Sequence, residues 1–452
     1  MASTIVSRTQ SGAESAAGRR TWTFSCWFKK CKIIGGGSNQ EIFGSDSNGA
    51  RSNNYNVIDV NSNDCLDVNG YESGATFRKI TNRKFRDCNA WYHLVVAFDS
   101  TQSTADDRIK IYINGVRETS FSTSTNPAQN HQSKFFASNK VHAFGRSSQT
   151  FDGIISHVHA TEGTAYAPTV FGSTDATTGE WKINADPTVS YGTNGFFLFK
   201  NDNSVTNQAG NSSGNFAVTA GTLTKTEDNP SNNFCTLNPL LNRITGYASG
   251  NATSLDFQNG NTFGGKVTHG AYFGTMAVST GKWYWEVKVQ DTNQLIGIAP
   301  MRPNGGVTYF YDDTTVQGYY PYGNNVYTNG VSASGGPYDN TSNKIYSFAL
   351  DATNNKLWVG RDGTFTGDPV AGSGATWASL PTENTDKEEI FWTPLAHSMS
   401  TSQNNNCYFN FGNGYFGTTA VSSAGTNASN NGIFEYNVPT GYTALCTKGL
   451  NV

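Results

Sequence analysis

Asp64 and Asp67 come nearest to a pair of carboxylates that could act together on one substrate. Hydrolysis of a glycosidic bond needs two such groups roughly 5 to 9 Å apart, and on a strand that means positions i and i+2 or i+4, whose side chains share a face. A separation of three residues is the wrong one. Glu286, between Trp285 and Val287, is expected on a solvated strand face. The seven histidines (His93, His131, His142, His157, His159, His269 and His397) are dispersed, and no Gly-x-Ser-x-Gly elbow accompanies them. His93 and His157 read as polar strand positions. His157 and His159 alternate onto one face, with Ile154, Ser156 and Val158 on the other, but two ligands without a third do not make a metal site.

Tyr309, Tyr311, Tyr319, Tyr320, Tyr322 and Tyr327 crowd a Gly- and Asn-rich stretch with few aliphatic residues. A tyrosine offers rigid contact area with a polar tip, and aromatic faces suit sugar rings or protein partners. The plainer alternative is that these rings line a core and its loops. The seven cysteines are an odd number with no CxxC pair and no Cys/His zinc spacing, so buried free thiols in a reducing compartment are expected.

The elements that must carry these residues are strands. Gly and aromatic residues are abundant while charged residues are few, a mixture that suits pleated faces joined by tight turns. Thr21 to Phe28 alternates two faces, Trp91 to Asp99 does so as a largely buried strand would, and Ile109 to Ile113 alternates strictly before Asn114-Gly115, a strong hairpin signal. Between 173 and 231 the chain turns Thr-, Gly- and Asn-rich around one apolar island, Gly195 to Phe199. That stretch reads as an irregular connector packed on a domain through its aromatic island. Strand signals resume at 232, clearest in Gly281 to Val289, and Lys344 to Asp351 forms a hairpin with Lys356 to Gly360 across Ala352-Thr353-Asn354-Asn355. With 452 residues, two sandwiches follow: 1–172 and 232–452, joined by 173–231.

The formal charge of −3 with interspersed signs shows no basic stripe for phosphates, so nucleic acid is not an expected partner. The opening residues turn polar at once and no apolar run approaches 18 residues, so neither Sec-type secretion nor membrane insertion is expected.

Two resemblances add to this reading. Trp22 to Phe28, Trp91 to Val95, Ile111 to Gly115 and Phe151 to Ile155 resemble, in order, the motifs of laminin-G-like (concanavalin-like) jelly rolls. The second half resembles a SPRY domain in Gly281 to Val289, Leu295 to Ile298, Tyr346 to Asp351 with Leu357 to Val359, and Tyr408 to Gly412. Thr174 to Trp181, Tyr191 to Leu198 and Asp228 to Leu240 resemble a joining module of tailed-bacteriophage structural proteins.

These resemblances imply an all-β chain of two antiparallel sandwiches, and a virion protein (a fibre, an appendage or a head or tail decoration) exposed on the particle. Attachment to a host surface glycan or receptor is the first expectation, with a purely structural role or a glycan-degrading enzyme as alternatives. The Glu-x-Asp-x-x-Glu strand of glycosidases with this fold is missing here, so no enzyme is expected. Calcium is held by related laminin-G-like jelly rolls, and Asp46, in the turn from Gly44 to Gly49, is the candidate ligand, although turn chemistry explains it equally well. The resemblance further implies contacts with other virion proteins and a homo-oligomer, with a trimer as the first expectation. Only Met1 to Val6 precede Ser7-Arg8-Thr9, which predicts a shortened first strand whose open edge a neighbouring chain would cover.

Overall fold

A computed structural model describes residues 4–46, 53–146, 149–241, 256–265, 270–301, 315–384, 386–399 and 406–450. The chain divides into two compact units, Met1–Lys225 and Thr226–Val452. Each is an antiparallel β-sandwich, so the chain is all-β in architecture, apart from short helical turns.

In the first unit an eight-stranded sheet runs in the order Phe121–Thr125, Ala75–Lys84, Cys65–Glu72, Asn54–Val60, Gln40–Asp46, Val141–Phe144, Ile5–Thr9, Ala217–Ala220. A six-stranded sheet packs on it in the order Phe196–Leu198, Gly153–Glu162, Thr21–Lys30, Trp91–Asp99, Ile109–Ile113, Val116–Arg117. The alternation of Thr21–Lys30 sends Trp22, Phe24, Cys26 and Phe28 into the core between the sheets, where Phe24 stacks on Phe43 of the facing sheet at 5.0 Å. Thr23, Ser25 and Trp27 point the other way, yet they too are buried. The chain from Thr164 to Phe197 covers them: Thr23 donates to the Thr164 carbonyl, and Trp181 and Tyr191 reach the sheet from above.

Residues 173–225, part of the stretch read as a connector, are built into this unit. Phe196–Leu198 pairs with the Gly153–Glu162 strand, and Ala217–Ala220 pairs with Ile5–Thr9. The first strand is thus flanked by Val141–Phe144 on one side and Ala217–Ala220 on the other. It has no open edge for a neighbouring chain to cover, which corrects the expectation from the short N-terminus.

The face assignment of the histidine strand also needs correction. A bulge falls between Ser156 and His159, with His157 in the left-handed region at φ 47°. The extra residue shifts the alternation. Ile155, Val158 and Ala160 face the core, while Ser156 and His159 lie opposite Trp27 and Ser25 on the outer face.

In the second unit one sheet runs Asp256–Gln258, Phe263–Gly265, Cys407–Asn410, Lys282–Val289, Lys344–Asp351, Lys356–Arg361, Thr364–Phe365, with Thr443–Ala444 adding a short parallel pairing to Lys282–Val289. The other runs Ala271–Phe273, Trp392–Ser398, Gln294–Pro300, Gln317–Tyr320, Asn325–Thr328, Val331–Ser334. Trp285, Val287, Phe348, Ile296, Ile298 and Trp392 share the core. Tyr284 and Glu286 face away from it and are covered by the C-terminal segment that carries Phe434, Tyr442 and Ala444. Glu286 is fully buried rather than solvated, because that segment lies far away in sequence but against the same sheet face. All seven cysteines are buried, and none is joined in a disulfide.

Candidate ligand-binding site

Ser25 and His93 meet in the first unit with Oγ to Nε2 at 2.9 Å, the contact a hydroxyl nucleophile makes with its base. The other imidazole nitrogen decides what this pair can do. Trp181 donates its indole N–H to His93 Nδ1 at 2.9 Å, and an indole nitrogen can only donate. Burial pushes the imidazole down to about 3, so it is neutral. With Nδ1 accepting, the single ring proton sits on Nε2 and points at Ser25. His93 donates to the hydroxyl and cannot take its proton. Both residues are also fully buried.

The acids singled out in the sequence are likewise committed. Asp64 pairs with Lys30 and, at 3.0 Å, with Arg86, and accepts the Ile34 amide at 2.9 Å. Burial raises its carboxyl, but these donors together hold it below the usual range. Asp67 is gripped by Arg78, with Nη2 at 2.6 Å, and accepts from Asn69 at 3.1 Å. Each carboxylate neutralises a cation of its own. Glu286 accepts from Tyr284, Asn410 and the backbone amides of Glu435 and Tyr436 at 2.9 to 3.1 Å, so it serves as a clasp for the C-terminal segment.

Asp46 ends the Gln40–Asp46 strand and is buried opposite Val141. It borders a small recess that also contains Glu41 and Arg146. The Arg146 guanidinium stands 3.5 Å from Glu41 and puts a positive charge on the recess that Asp46 borders, while Ser47, Asn48 and Gly49 of the turn read as a calcium candidate lie outside the described residues. Among the described residues no group of three or more His, Cys, Asp or Glu is arranged for a metal.

Tyr309 and Tyr311 lie outside the described residues. Tyr319 is fully buried, donating to the Tyr338 carbonyl at 2.6 Å, and Tyr327 is buried beside Leu295 and Leu395. Tyr320 and Tyr322 come together with ring centroids 6.0 Å apart. Tyr322 is 55% exposed, and the Tyr320 hydroxyl donates to Asn293 at 2.7 Å.

A groove that sequence reasoning did not single out lies in the first unit. It has a volume of about 400 Å³ and is lined by Asp186, Pro187, Tyr191, Phe197, Lys200, Asn201 and Gln208. His159 organises its floor. The Tyr191 hydroxyl meets His159 Nδ1 at 2.8 Å, Phe197 stacks on the imidazole at 4.1 Å, and the Tyr191 and Phe197 planes are 9° from parallel. Burial holds His159 well below its ordinary value, so the support is uncharged. Around the rings stand an Asp186–Lys200 ion pair and the exposed side chains of Asn201 and Gln208. Phe197 is itself buried and Tyr191 partly exposed, so the groove offers chiefly the Tyr191 ring beside converging polar groups, the makings of a small-ligand site. The sequence signal was present in Tyr191 and Phe197 bracketing a polar stretch, but the island Gly195 to Phe199 accounted for itself as packing.

Residues 7–170 match the Laminin_G_3 family, described as the concanavalin A-like lectin/glucanases superfamily, and form a concanavalin-like domain. Among solved structures the chain is similar to the SPRY domain of human HERC1 (14% identity, TM-score 0.28, covering 38% of this chain and 96% of that one). It is also similar to the heptameric SAP-like pentraxin of Limulus polyphemus (13% identity, TM-score 0.26, covering 36% and 71%). No curated protein matches the chain in sequence.

Proposed function

We propose that the chain is a non-catalytic recognition protein of a virus particle, and that it binds a surface glycan in the groove floored by Tyr191 and Phe197. The groove carries this reading. Sugar C–H bonds pack on the Tyr191 ring, which Phe197 backs from below, while the Asp186 carboxylate, the Lys200 ammonium and the amides of Asn201 and Gln208 offer acceptors and donors to ring hydroxyls. The concanavalin-like domain supports it, since lectins and glucanases share that superfamily. Binding without turnover is favoured over hydrolysis, because Asp64 and Asp67 are tied to cations and His93 cannot serve Ser25 as a base. Placement on a phage particle is supported by the resemblance of the joining segment.

A glycan array probed with the whole chain tests the ligand. Binding is expected, and Asp186→Ala combined with Asn201→Ala should abolish it, both residues being exposed. An array with no signal, or signal indifferent to these changes, refutes the assignment of the groove. Peptide mass spectrometry of purified particles tests the location.

A further inference from the structure

The alternation of Thr21–Lys30 that buries Trp22, Phe24, Cys26 and Phe28 between the sheets ends on Lys30. An ammonium group there is costly, since a buried charge must be paired to offset its lost hydration. The side chain of Lys30 is 0% exposed, and so is that of Asp64, the residue just before the Cys65–Glu72 strand of the facing sheet. Lys30 Nζ touches Asp64 Oδ1. Each oxygen of that carboxyl carries a further donor: the Ile34 amide reaches Oδ1 at 2.9 Å, and Arg86 Nε reaches Oδ2 at 3.0 Å. An amine is thus held against a carboxyl carbon whose oxygens are both polarised, in a place closed to water. Nucleophile, acyl group and oxyanion donors are the parts of an acyl-transfer site.

We propose that Lys30 and Asp64 condense to an amide, an isopeptide bond that joins the two sheets of the first unit. The ammonium passes one proton to Oδ1, leaving an amine and a carboxylic acid, a transfer that a dry site favours because it removes two buried charges. Nζ then attacks Cγ, and Oδ2 takes up the negative charge against Arg86. A second proton passes from Nζ to Oδ1, the Cγ–Oδ1 bond breaks, and Oδ1 leaves as water. The third proton stays on the amide nitrogen. One C–N bond forms and one C–O bond breaks, nothing is oxidised or reduced, and no co-reactant is consumed.

The neutral product lifts the desolvation cost of two buried ions, while Arg86, its side chain 49% exposed, keeps its charge in contact with water. The bond also closes a 34-residue interval, which restricts the unfolded chain. The seven cysteines form no disulfide, and an amide ties the sheets in a way that a reducing compartment does not undo. The proposal is independent of the groove.

Intact-mass spectrometry of the whole chain, denatured so that an ion pair cannot persist, tests the bond. The expected mass is one water below that of the sequence, and proteolysis should release a branched peptide joining the segments that carry Lys30 and Asp64. Lys30→Arg keeps a cation beside Asp64 but has no amine to react, and should return to the full mass. Should that variant fail to fold, the branched peptide of the unaltered chain decides alone. A chain at full mass overturns the proposal, as does a deficit that Lys30→Arg retains or that maps to another pair of residues.

Discussion

Arg8 donates through Nη2 to the backbone carbonyl of Asn194 at 2.6 Å, across 186 residues of sequence. Its other terminal nitrogen reaches the Ser213 and Gly214 carbonyls at 2.8 and 3.0 Å, and the guanidinium lies over Phe196 and Phe216 at 5.0 and 4.7 Å. Asn194 in turn bonds to Gln10, to the Ala13 carbonyl and to Glu162. The first strand and the segment from 194 to 216 are therefore one structural piece.

Arg8→Ala should destabilise the first unit by about 2 to 5 kcal/mol, because the buried Asn194 and Ser213 carbonyls lose their donor at about 1 to 3 kcal/mol each, while the exposed Gly214 carbonyl can turn to water. Chemical denaturation measures this. A fragment ending at residue 172 should fail to give a cooperative transition, whereas residues 1–225 should fold. A cooperative 1–172 fragment would show that Phe196, Leu198 and Phe216, which lie in the core, are dispensable.

Trp181→Phe removes the indole donor that fixes the tautomer of His93. In the unaltered chain, nitrogen NMR should find the His93 proton on Nε2 and none on Nδ1. The variant should lose about 1 kcal/mol of stability and populate both tautomers. A fluorophosphonate probe should leave Ser25 unlabelled in either protein. Labelling of Ser25 would overturn the reading of this pair as structural.

Gly115 ends a two-residue turn with Asn114, the two having φ of 78° and 48°, the combination a type I′ hairpin demands. A Cβ added there would also come within 2.3 Å of the Trp181 ring. Gly115→Ala should thus cost more than the turn alone, about 2 to 4 kcal/mol, and should shift the Trp181 indole resonance. If the cost is near 1 kcal/mol and the indole resonance is unmoved, Trp181 does not rest on this turn.

What could be read from sequence was local. The alternation of Thr21 to Phe28, the Asn114-Gly115 turn and the Lys344 to Gly360 hairpin each depend on a handful of neighbouring residues, and the two-sandwich architecture follows from them. The bulge at His157 was not legible, because a histidine at positive φ has no signature in its own sequence. The burial of Glu286 depends on Glu435 and Tyr436, about 150 positions away. The groove is of the same kind: Tyr191 and Phe197 form a floor only because His159, on the strand paired with that of Phe197, stacks with both rings. Asp46 and the six tyrosines stand out by type and spacing, which say nothing of the arginine at the recess beside the one or of the core around two of the others.

Glu286 makes the stability of the second unit depend on pH. Burial pushes its carboxyl up to about 7 from 4.5, the pull of four donors notwithstanding. A group whose folded value lies above its unfolded one binds more protons in the folded state, so its contribution is complete below about pH 4.5 and is lost as pH rises through about 7. The loss is on the order of 3 kcal/mol, at 1.36 kcal/mol per unit. Because Glu286 holds the amides of Glu435 and Tyr436, their hydrogen exchange, corrected for intrinsic rate, should quicken between pH 5 and 8, the upper limit being about one unit beyond the midpoint. Glu286→Gln cannot ionise and offers one acceptor oxygen where two were used. It should be less stable at pH 5 and should show no such pH dependence. If the variant and the unaltered chain change in parallel over this range, the dependence belongs to another group.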